Sequence, residues 1–336
     1  MPSYFDPLVV EQWGGAFLRE DKIEEALRRL IPNAAITAGR YSYPSRAETR
    51  DLAWNHMDQN HRPTIHETYG DAARVHIGEH SAFSLTRFGR WPFVIPVFDG
   101  RHKENGFYQI ILLFGLFVII TIIECNEVHG ATQMDIRWFI ASHRGLRFLH
   151  KPLNRRLTRL NDEQNRADDE IRDRRTALRA QGYSFVTDRP DFLNANIVAN
   201  DVIFPPLGPA QPILLAELAP EAPVRVELGG RAFILRRRPD GGVDVWPGIC
   251  LHEGAALAPE HILGRVAKCP WHGLEWGASQ LSENTPSVEM CGARLELAAG
   301  RIHLRPSARS RAAARTEPAA EQFAQGEDAT RRTGNS

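Results

Sequence analysis

Two short segments near the C-terminal end of the chain each carry one cysteine and one histidine. Cys250 and His252 are separated by one residue, Cys269 and His272 by two, and sixteen residues lie between the two pairs. One thiolate and one imidazole on each of two loops suit two irons, with both thiolates on one iron and both imidazoles on the other. A single zinc ion is the alternative, although zinc sites usually pair C-x2-C with a separate H-x3-H unit. The pattern therefore requires a fold that brings two loops together.

The surrounding sequence predicts a small all-β domain over residues 213–305. Short strand signals (VRVEL, RAFILRR, VDVW and RIHL) alternate there with Gly-Gly and Pro-Asp-Gly turns. Gly254, Pro270 and Gly273 allow tight loops that bring backbone N–H groups toward cluster sulfurs. In the form CLHEGA and CPWHG, the two segments resemble the Rieske family. The resemblance implies a 2Fe-2S cluster held by the two cysteines and two histidines named above.

The residues around the two motifs resemble one branch of that family. Respiratory Rieske proteins carry an extra disulfide between the loops, and the corresponding positions here are Ala255 and Trp271. Leu274 stands where a hydroxyl donor would raise the reduction potential. Both features indicate the low-potential ferredoxin and oxygenase branch.

A second candidate metal site lies in the N-terminal half, where Asp58, His61 and His66 are spaced as D-x2-H-x4-H. Two imidazoles and a distant carboxylate form a facial triad that leaves positions on Fe(II) open for dioxygen and substrate. The spacing resembles the mononuclear iron motif of the Rieske non-haem iron oxygenases. The resemblance implies that His61 and His66 bind the iron and that Asp58 links this site to a cluster histidine.

The same resemblance places the third iron ligand on a late helix. Asp168 fits that position, with Asp169 as the alternative. In the usual oxygenase subunit the Rieske domain comes first, whereas here it follows the iron motif. The family implies a homotrimer in which electrons cross between chains, and the swapped order leaves open a route within one chain. In either case we expect His272 to contact Asp58, which in turn contacts His61.

The periodicity along the chain predicts an α+β fold. Alternation in residues 133–140 is typical of a half-buried strand, and residues 73–142 should form an antiparallel sheet. From 146 to 180 the apolar period becomes helical. A sheet followed by a long helix resembles the helix-grip (START/Bet v1-like) fold. The predicted organisation is a helical segment (1–50), a helix-grip catalytic-like domain (51–185), a linker (186–212), the Rieske domain (213–305) and a disordered tail (306–336).

The most apolar segment, residues 110–123, is interrupted by Gly115 and Thr121. At 14 residues it is shorter than the roughly 20 needed to span a bilayer. Its β-branched residues and the preceding Asn-Gly pair favour a strand pair that breaks near Gly115. We expect this region to line an apolar substrate cavity. The candidate lining residues are Phe107, Ile111, Leu113, Phe114, Leu116, Phe117, Ile120, Trp138 and Ile140.

Composition narrows the function classes further. Lysine plus arginine (41) equals aspartate plus glutamate (41), which argues against a basic nucleic-acid binder. Four cysteines are too few for a disulfide scaffold, and Cys125 and Cys291 are expected to be buried free thiols. The N-terminus lacks a signal-peptide pattern, so we expect a cytoplasmic protein. The arginine-rich runs 155–159 and 172–179 are interpreted as a solvated helix face.

These observations support one leading hypothesis and two alternatives. The first is an oxygenase that hydroxylates an apolar substrate with O2. Since no G-x-G-x-x-G motif is present, its electrons would come from an external NAD(P)H-dependent reductase or ferredoxin. The second is a non-catalytic Rieske electron carrier fused to a lipid- or isoprenoid-binding helix-grip domain. The third is a membrane-anchored Rieske protein, which requires residues 110–123 to be an exposed helix.

Overall fold

The computed structural model describes residues 20–58, 61–66, 69–77, 81–88, 93–103, 105–129, 131–188 and 201–307. It divides into two compact units. The first contains the residues up to Pro205 together with Gly248–Gly277, and the second contains Pro206–Pro247 together with the residues from Ala278 onward. Residues 1–19 of the predicted helical segment, 189–200 of the predicted linker and 308–336 of the predicted tail lie outside the described residues. The domain bounds given above stay predictions.

A seven-stranded antiparallel sheet is the largest element of the first unit. Its strands are β1 (Ala34–Ser45), β2 (Tyr69–Ile77), β3 (Ser81–Phe88), β4 (Val94–Lys103), β5 (Gly106–Leu113), β6 (Phe117–Val128) and β7 (Ala131–His143). Strands β2 to β7 pair in chain order, and β1 lies at the edge beside β7. The antiparallel sheet over residues 73–142 is thus confirmed, whereas β1 was not predicted.

The apolar segment 110–123 forms a strand pair, as predicted. Strands β5 and β6 pair in register from Gly106 opposite Glu124 to Leu113 opposite Phe117. The turn between them contains Gly115 at a φ of 66°, a left-handed conformation that glycine adopts without steric cost. The membrane-anchored hypothesis is wrong in its requirement that this segment be helical. Among the described residues, no helix is long and apolar enough to cross a membrane.

Among the described residues, four α-helices accompany the sheet: α1 (Glu20–Leu30), α2 (Thr49–Met57), α3 (Arg62–Ile65) and α4 (His150–Ala180). A 3-10 turn, Arg144–Leu149, leads into the long helix α4. The start of α4 packs against one face of the sheet, here called the inner face, through leucines that include Leu153 and Leu157. Helix α1 covers the opposite, outer face through Ile23 and Leu27.

This two-sided packing corrects part of the predicted cavity lining. Phe107, Phe117, Trp138 and Ile140 belong to the core on the inner face, and Leu113 packs against it. Ile120 instead points to the outer face and packs with α1, because side chains alternate between the faces of a strand. Phe114 and Leu116 lie in the β5–β6 turn and are exposed.

The remaining strands are short. The first unit also contains β8 (Ser184–Phe185), β9 (Val202–Ile203), β14 (Ile262–Leu263), β15 (Val266–Lys268) and β16 (Glu275–Gly277). The second unit consists of two four-stranded sheets built from β10 (Ile213–Leu214), β11 (Val224–Leu228), β12 (Arg231–Arg237), β13 (Val243–Pro247), β17 (Ser279–Leu281), β18 (Ser287–Met290), β19 (Ala293–Ala298) and β20 (Arg301–Pro306). The all-β character predicted for the C-terminal region is confirmed. An antiparallel sheet that wraps one long helix is the helix-grip architecture, so this prediction is confirmed as well.

Candidate metal centres

The D-x2-H-x4-H segment is placed by two short helices. Helix α2 ends at Met57 and is capped by Asp58, whose backbone N–H donates to the Trp54 carbonyl at 3.0 Å. Helix α3 lies between His61 and His66, with a proline in its first turn. A proline there costs little because the first N–H groups of a helix have no intrahelical partner. The two histidines therefore flank a single helical turn.

His61, His66 and Asp168 converge in the interior of the first unit. Their candidate ligand atoms all lie within 4.8 Å of one another, and all three residues are buried. His66 Nε2 lies 3.0 Å and His61 Nε2 lies 3.3 Å from the same oxygen, Asp168 Oδ1. The charges of Asp168 and Asp58 outweigh burial and raise the pKa of His61 to about 9. Two imidazoles and one carboxylate are the donor set of a facial-triad iron site, so these residues fit Fe(II).

Asp168 is oriented by an arginine one helical turn later. Arg172 Nη2 lies 3.0 Å from Asp168 Oδ2, and its other nitrogens donate to Asn55 and Asn165 at 2.7 and 3.0 Å. Burial raises the pKa of Asp168, but the charges of Arg172 and His61 outweigh it and hold that pKa below its usual range. Asp169, the alternative ligand, instead accepts a hydrogen bond from a tyrosine of β1. The geometry therefore favours Asp168.

The two Cys-His segments form matching tight turns. The backbone N–H of Gly254 donates to the Cys250 carbonyl at 2.8 Å, and that of Gly273 donates to the Cys269 carbonyl at 2.9 Å. The φ angles of the two glycines are 91° and 66°. A Cβ at Gly254 would lie 2.7 Å from Leu178 of α4, so this loop also needs glycine for close packing.

The four predicted cluster ligands come together between these loops. Cys269 Sγ lies 3.6 Å from His272 Nδ1, and the rings of His252 and His272 are 4.8 Å apart and perpendicular. His252 Nδ1 is buried and has no partner among the described residues. Hydrogen bonds from the Cys250 thiol and from His272 lower the pKa of Cys269 to about 4 against the effect of burial. Two sulfurs and two imidazole nitrogens gathered between two loops are the donor set of a Rieske cluster, so these residues fit one.

One carboxylate connects the two sets of ligands. Asp58 Oδ2 lies 2.8 Å from His272 Nε2 and 3.0 Å from His61 Nδ1, and all three side chains are buried. Burial raises the pKa of Asp58, but the charges of His272 and His61 outweigh it and hold that pKa well below its usual range. The contact predicted between His272, Asp58 and His61 is therefore present, and it lies within one chain.

Glu253 is a residue that the sequence analysis missed. It is fully buried, and its Oε2 lies 2.9 Å from His272 Nε2, the nitrogen that also faces Asp58. Burial and the charge of Asp58 raise the pKa of Glu253 to about 8. The only signal in the sequence was an acidic residue directly after His252. Such a residue can also lie in an exposed loop, so it does not by itself indicate burial.

The basic run 172–179 is not solvated, which corrects the sequence interpretation. Arg172 and Arg175 are 2% and 0% exposed, and the side chain of Arg179 is 5% exposed. These arginines follow Asp168 at helical spacing and share its face of α4. Helical phase with Asp168 was the only signal in the sequence, and it does not distinguish a buried face of a helix from a solvated one.

Arg175 supports the first cluster loop indirectly, through Asp201. Its Nη1 lies 2.8 Å from Asp201 Oδ2, and its guanidinium lies 3.9 Å from the Trp54 ring centroid and 3.6 Å from that of Phe185. The backbone N–H of Asp201 in turn donates to the carbonyl of Leu251 at 2.9 Å. Leu251 lies between the first two cluster ligands, so this network connects α4 to the loop.

The other cysteines behave as predicted. Cys125 and Cys291 are buried free thiols, and burial raises the pKa of each to about 12. A thiol that keeps its proton is a poor metal ligand and nucleophile. Neither residue belongs to the metal centres.

Comparison with known families identifies one part of the chain. A profile for the Rieske [2Fe-2S] domain matches residues 213–294, a range that contains all four predicted cluster ligands. The chain thus has a helix-grip N-terminal domain and an all-β Rieske domain. A Rieske domain supports electron transfer through an iron-sulfur cluster. No curated protein sequence matches the chain significantly.

Several solved structures resemble part of the chain. Ara h 8.0201 is 9% identical, with a TM-score of 0.35 over 40% of this chain and 97% of its own. Norcoclaurine synthase from Thalictrum flavum, in complex with dopamine and hydroxybenzaldehyde, is 10% identical, with a TM-score of 0.36 over 41% of this chain and 87% of its own. The di-domain ARO/CYC StfQ from the steffimycin biosynthetic pathway is 11% identical, with a TM-score of 0.37 over 48% of this chain and 55% of its own.

Proposed function

We propose that the protein is a Rieske-type non-haem iron oxygenase that hydroxylates an apolar substrate. A 2Fe-2S cluster would be held by Cys250, His252, Cys269 and His272. A mononuclear Fe(II) would be held by the triad at His61, His66 and Asp168. Terpenoids, sterols and polycyclic aromatics are the substrate classes that an apolar inner face of the sheet suits.

The observation that carries this proposal is the contact from His272 through Asp58 to His61. An electron carrier alone has no use for a buried carboxylate between its cluster ligand and a second set of metal ligands. Burying that carboxylate costs free energy, and its two imidazole contacts offset the cost. Because both contacts lie within one chain, we propose that electrons pass within the chain and do not require a neighbouring subunit.

The reaction takes one C–H bond, O2, two electrons and two protons, and yields one C–OH bond and water. The bound iron would supply the dioxygen chemistry that organic side chains cannot perform. The protein's part is to hold His61 and His66 on the flanks of α3, to orient Asp168 through Arg172, and to keep Asp58 against both rings. We propose that a reductase or ferredoxin delivers the electrons one at a time to the cluster.

Metal content tests the two sites together. Anaerobically purified protein should contain about three irons and two acid-labile sulfides per chain, and His61→Ala should contain about two irons with an unchanged Rieske spectrum. About two irons in both proteins would mean that the triad binds none. That result would favour the alternative, a Rieske electron carrier fused to a ligand-binding helix-grip domain.

Asp58→Asn tests the connection between the sites. The variant should retain all its iron and the cluster spectrum, while oxidation of the reduced cluster in the presence of O2 and substrate slows by about 10–100-fold. Asp162→Asn is a matched control, since it removes a partly exposed carboxylate on α4 away from both centres. An unchanged rate in Asp58→Asn would contradict the proposed route.

A further inference from the structure

The inner face of the sheet is not uniformly apolar. Asp99 of β4 lies opposite Gln109 of β5, and Gln109 lies opposite Thr121 of β6. Gln109 is two residues from Phe107, which belongs to the inner core, so this polar row shares the inner face. Asp99 is 2% exposed. The sequence analysis predicted only apolar residues here.

Asp99 has one satisfied oxygen and one unsatisfied oxygen. Gln109 Nε2 donates to Asp99 Oδ1 at 2.8 Å, and Arg62 Nη2 lies 3.4 Å from the same oxygen. No donor among the described residues reaches Asp99 Oδ2, which is fully buried. A buried acceptor without a donor is destabilising, so such an atom usually has a partner that the protein alone does not supply.

A second unsatisfied atom lies nearby. His56 Nε2 is buried and has no partner among the described residues, and the His56 ring is 4.9 Å from the ring of Phe107. Burial and the charge of Arg62 lower the pKa of His56 to about 4, so the ring is neutral at pH 7. The charges of Asp99 and Asp168 also act on it. Phe107 lies two residues before Gln109 on the same face of β5, so the His56 ring lies beside this polar row.

We infer that Asp99 and His56 form a polar subsite that orients the substrate, and that the substrate is an apolar molecule with a neutral hydroxyl group. A hydroxyl donates one hydrogen bond and accepts others, so it matches the Asp99 carboxylate and the neutral His56 ring at once. A ketone or ether oxygen cannot donate to Asp99, and a carboxylate would be repelled by it. The inference rests on the proposed function in taking the inner face as the substrate side.

Matched probes that differ only in the hydroxyl proton test this subsite. Three pairs are 2-naphthol with 2-methoxynaphthalene, 9-phenanthrol with 9-methoxyphenanthrene, and 1-hydroxypyrene with 1-methoxypyrene. Their dissociation constants are measured by equilibrium dialysis on the iron-loaded protein, without O2 or reductase. At least one phenol should bind about tenfold or more tightly than its ether, since hydrogen bonds to charged groups are the stronger class.

Two variants and a control assign the preference to the subsite. Asp99→Asn should reduce it to about threefold or less, because an amide is a weaker acceptor than a carboxylate. His56→Phe keeps the ring packing on Phe107 and should also reduce it. Asp135→Asn makes the same change on β7, where Asp135 contacts Ser42 and Gln133, and should retain it. The cluster absorbance serves as the folding check for all three.

Three results would overturn the inference: no probe binds, no phenol is preferred over its ether, or the preference survives both Asp99→Asn and His56→Phe. Because binding is measured without turnover, the inference and the proposed function fail separately. A phenol preference that depends on Asp99, in a protein that never hydroxylates a bound substrate, would contradict only the oxygenase.

Discussion

The two halves of α4 are buried by different means. In the first half, leucines such as Leu153 and Leu157 pack on the apolar inner face of the sheet. In the second half the buried residues include Asp168, Arg172 and Arg175, which are held by hydrogen bonds and ion pairs. Apolar burial stabilises a helix without specifying which atom lies where, whereas a buried ion pair requires a particular geometry. The second half of α4, whose ion pairs require a particular geometry, is also the half that carries Asp168, a candidate metal ligand.

Arg175→Met should have the largest effect on this comparison. It removes the cation 2.8 Å from Asp201 and 3.4 Å from Asp51, and leaves both carboxylates buried. Breaking a buried ion pair in this way typically costs about 3–5 kcal/mol. Leu157→Ala in the first half truncates a partly buried side chain and should cost less than about 2 kcal/mol. Hydrogen exchange along α4 measures the opening free energy of each half.

A loss no larger in Arg175→Met than in Leu157→Ala would contradict the distinction between the halves. It would mean that packing on Trp54 and Phe185, which methionine largely retains, is what holds the second half.

Arg172→Met should show that Arg172 contributes to metal binding by the triad, apart from any contribution to stability. Without the contact at 3.0 Å from Arg172 Nη2 to its Oδ2, Asp168 loses its orientation. Loss of such a supporting contact typically weakens metal binding by about 10–100-fold. If the triad binds iron as proposed, dialysis against a weak chelator should remove that iron from the variant faster than from the wild type, while the cluster absorbance stays unchanged.

The chain offers a matched control for this variant. Arg166 and Asp162 form the same i,i+4 pair two turns earlier on α4, but the Arg166 side chain is 71% exposed. Arg166→Met should leave iron retention and the stability of α4 nearly unchanged, because exposed ion pairs contribute little. Equal iron retention in the two variants would mean that Arg172 does not support metal binding by the triad.

The parts that could be predicted from the sequence are those encoded over short distances. The Cys-His pairs and the D-x2-H-x4-H segment each place their residues within a few positions of one another, so spacing and the family resemblance together indicated them. Strand β1 was missed because Gly39 and Pro44 interrupt its pattern. A Cβ at Gly39 would lie 2.3 Å from Trp138 Nε1, and proline is tolerated because β1 is an edge strand.

The buried arginines could not be predicted because their partners are distant in the sequence. Arg175 and Arg179 pair with Asp51, Asp188 and Asp201, and charges at helical spacing look the same on a solvated face as on a paired one. Asp99 gave no signal for the same reason. A single carboxylate in an apolar strand has no pattern until its neighbours are known.

Asp188→Asn should have the smallest effect on stability of these variants. The pH dependence of that effect tests whether charge holds the second half of α4. Burial raises the pKa of Asp188, but hydrogen bonds and charge from Arg179 outweigh it and hold that pKa below its usual value. A carboxyl whose folded pKa is depressed contributes stability above its unfolded pKa of about 4, and this is lost as the pH falls through the folded value. Arg179 keeps Asp51 as a partner, so the variant should cost only about 1 kcal/mol at pH 7. Hydrogen exchange should show this difference in the second half of α4 at neutral pH, and the difference should shrink as the pH is lowered below about 4. A difference that does not change with pH would mean that Asp188 acts by accepting the hydrogen bond of 3.0 Å from the backbone N–H of Phe185, and not through its charge.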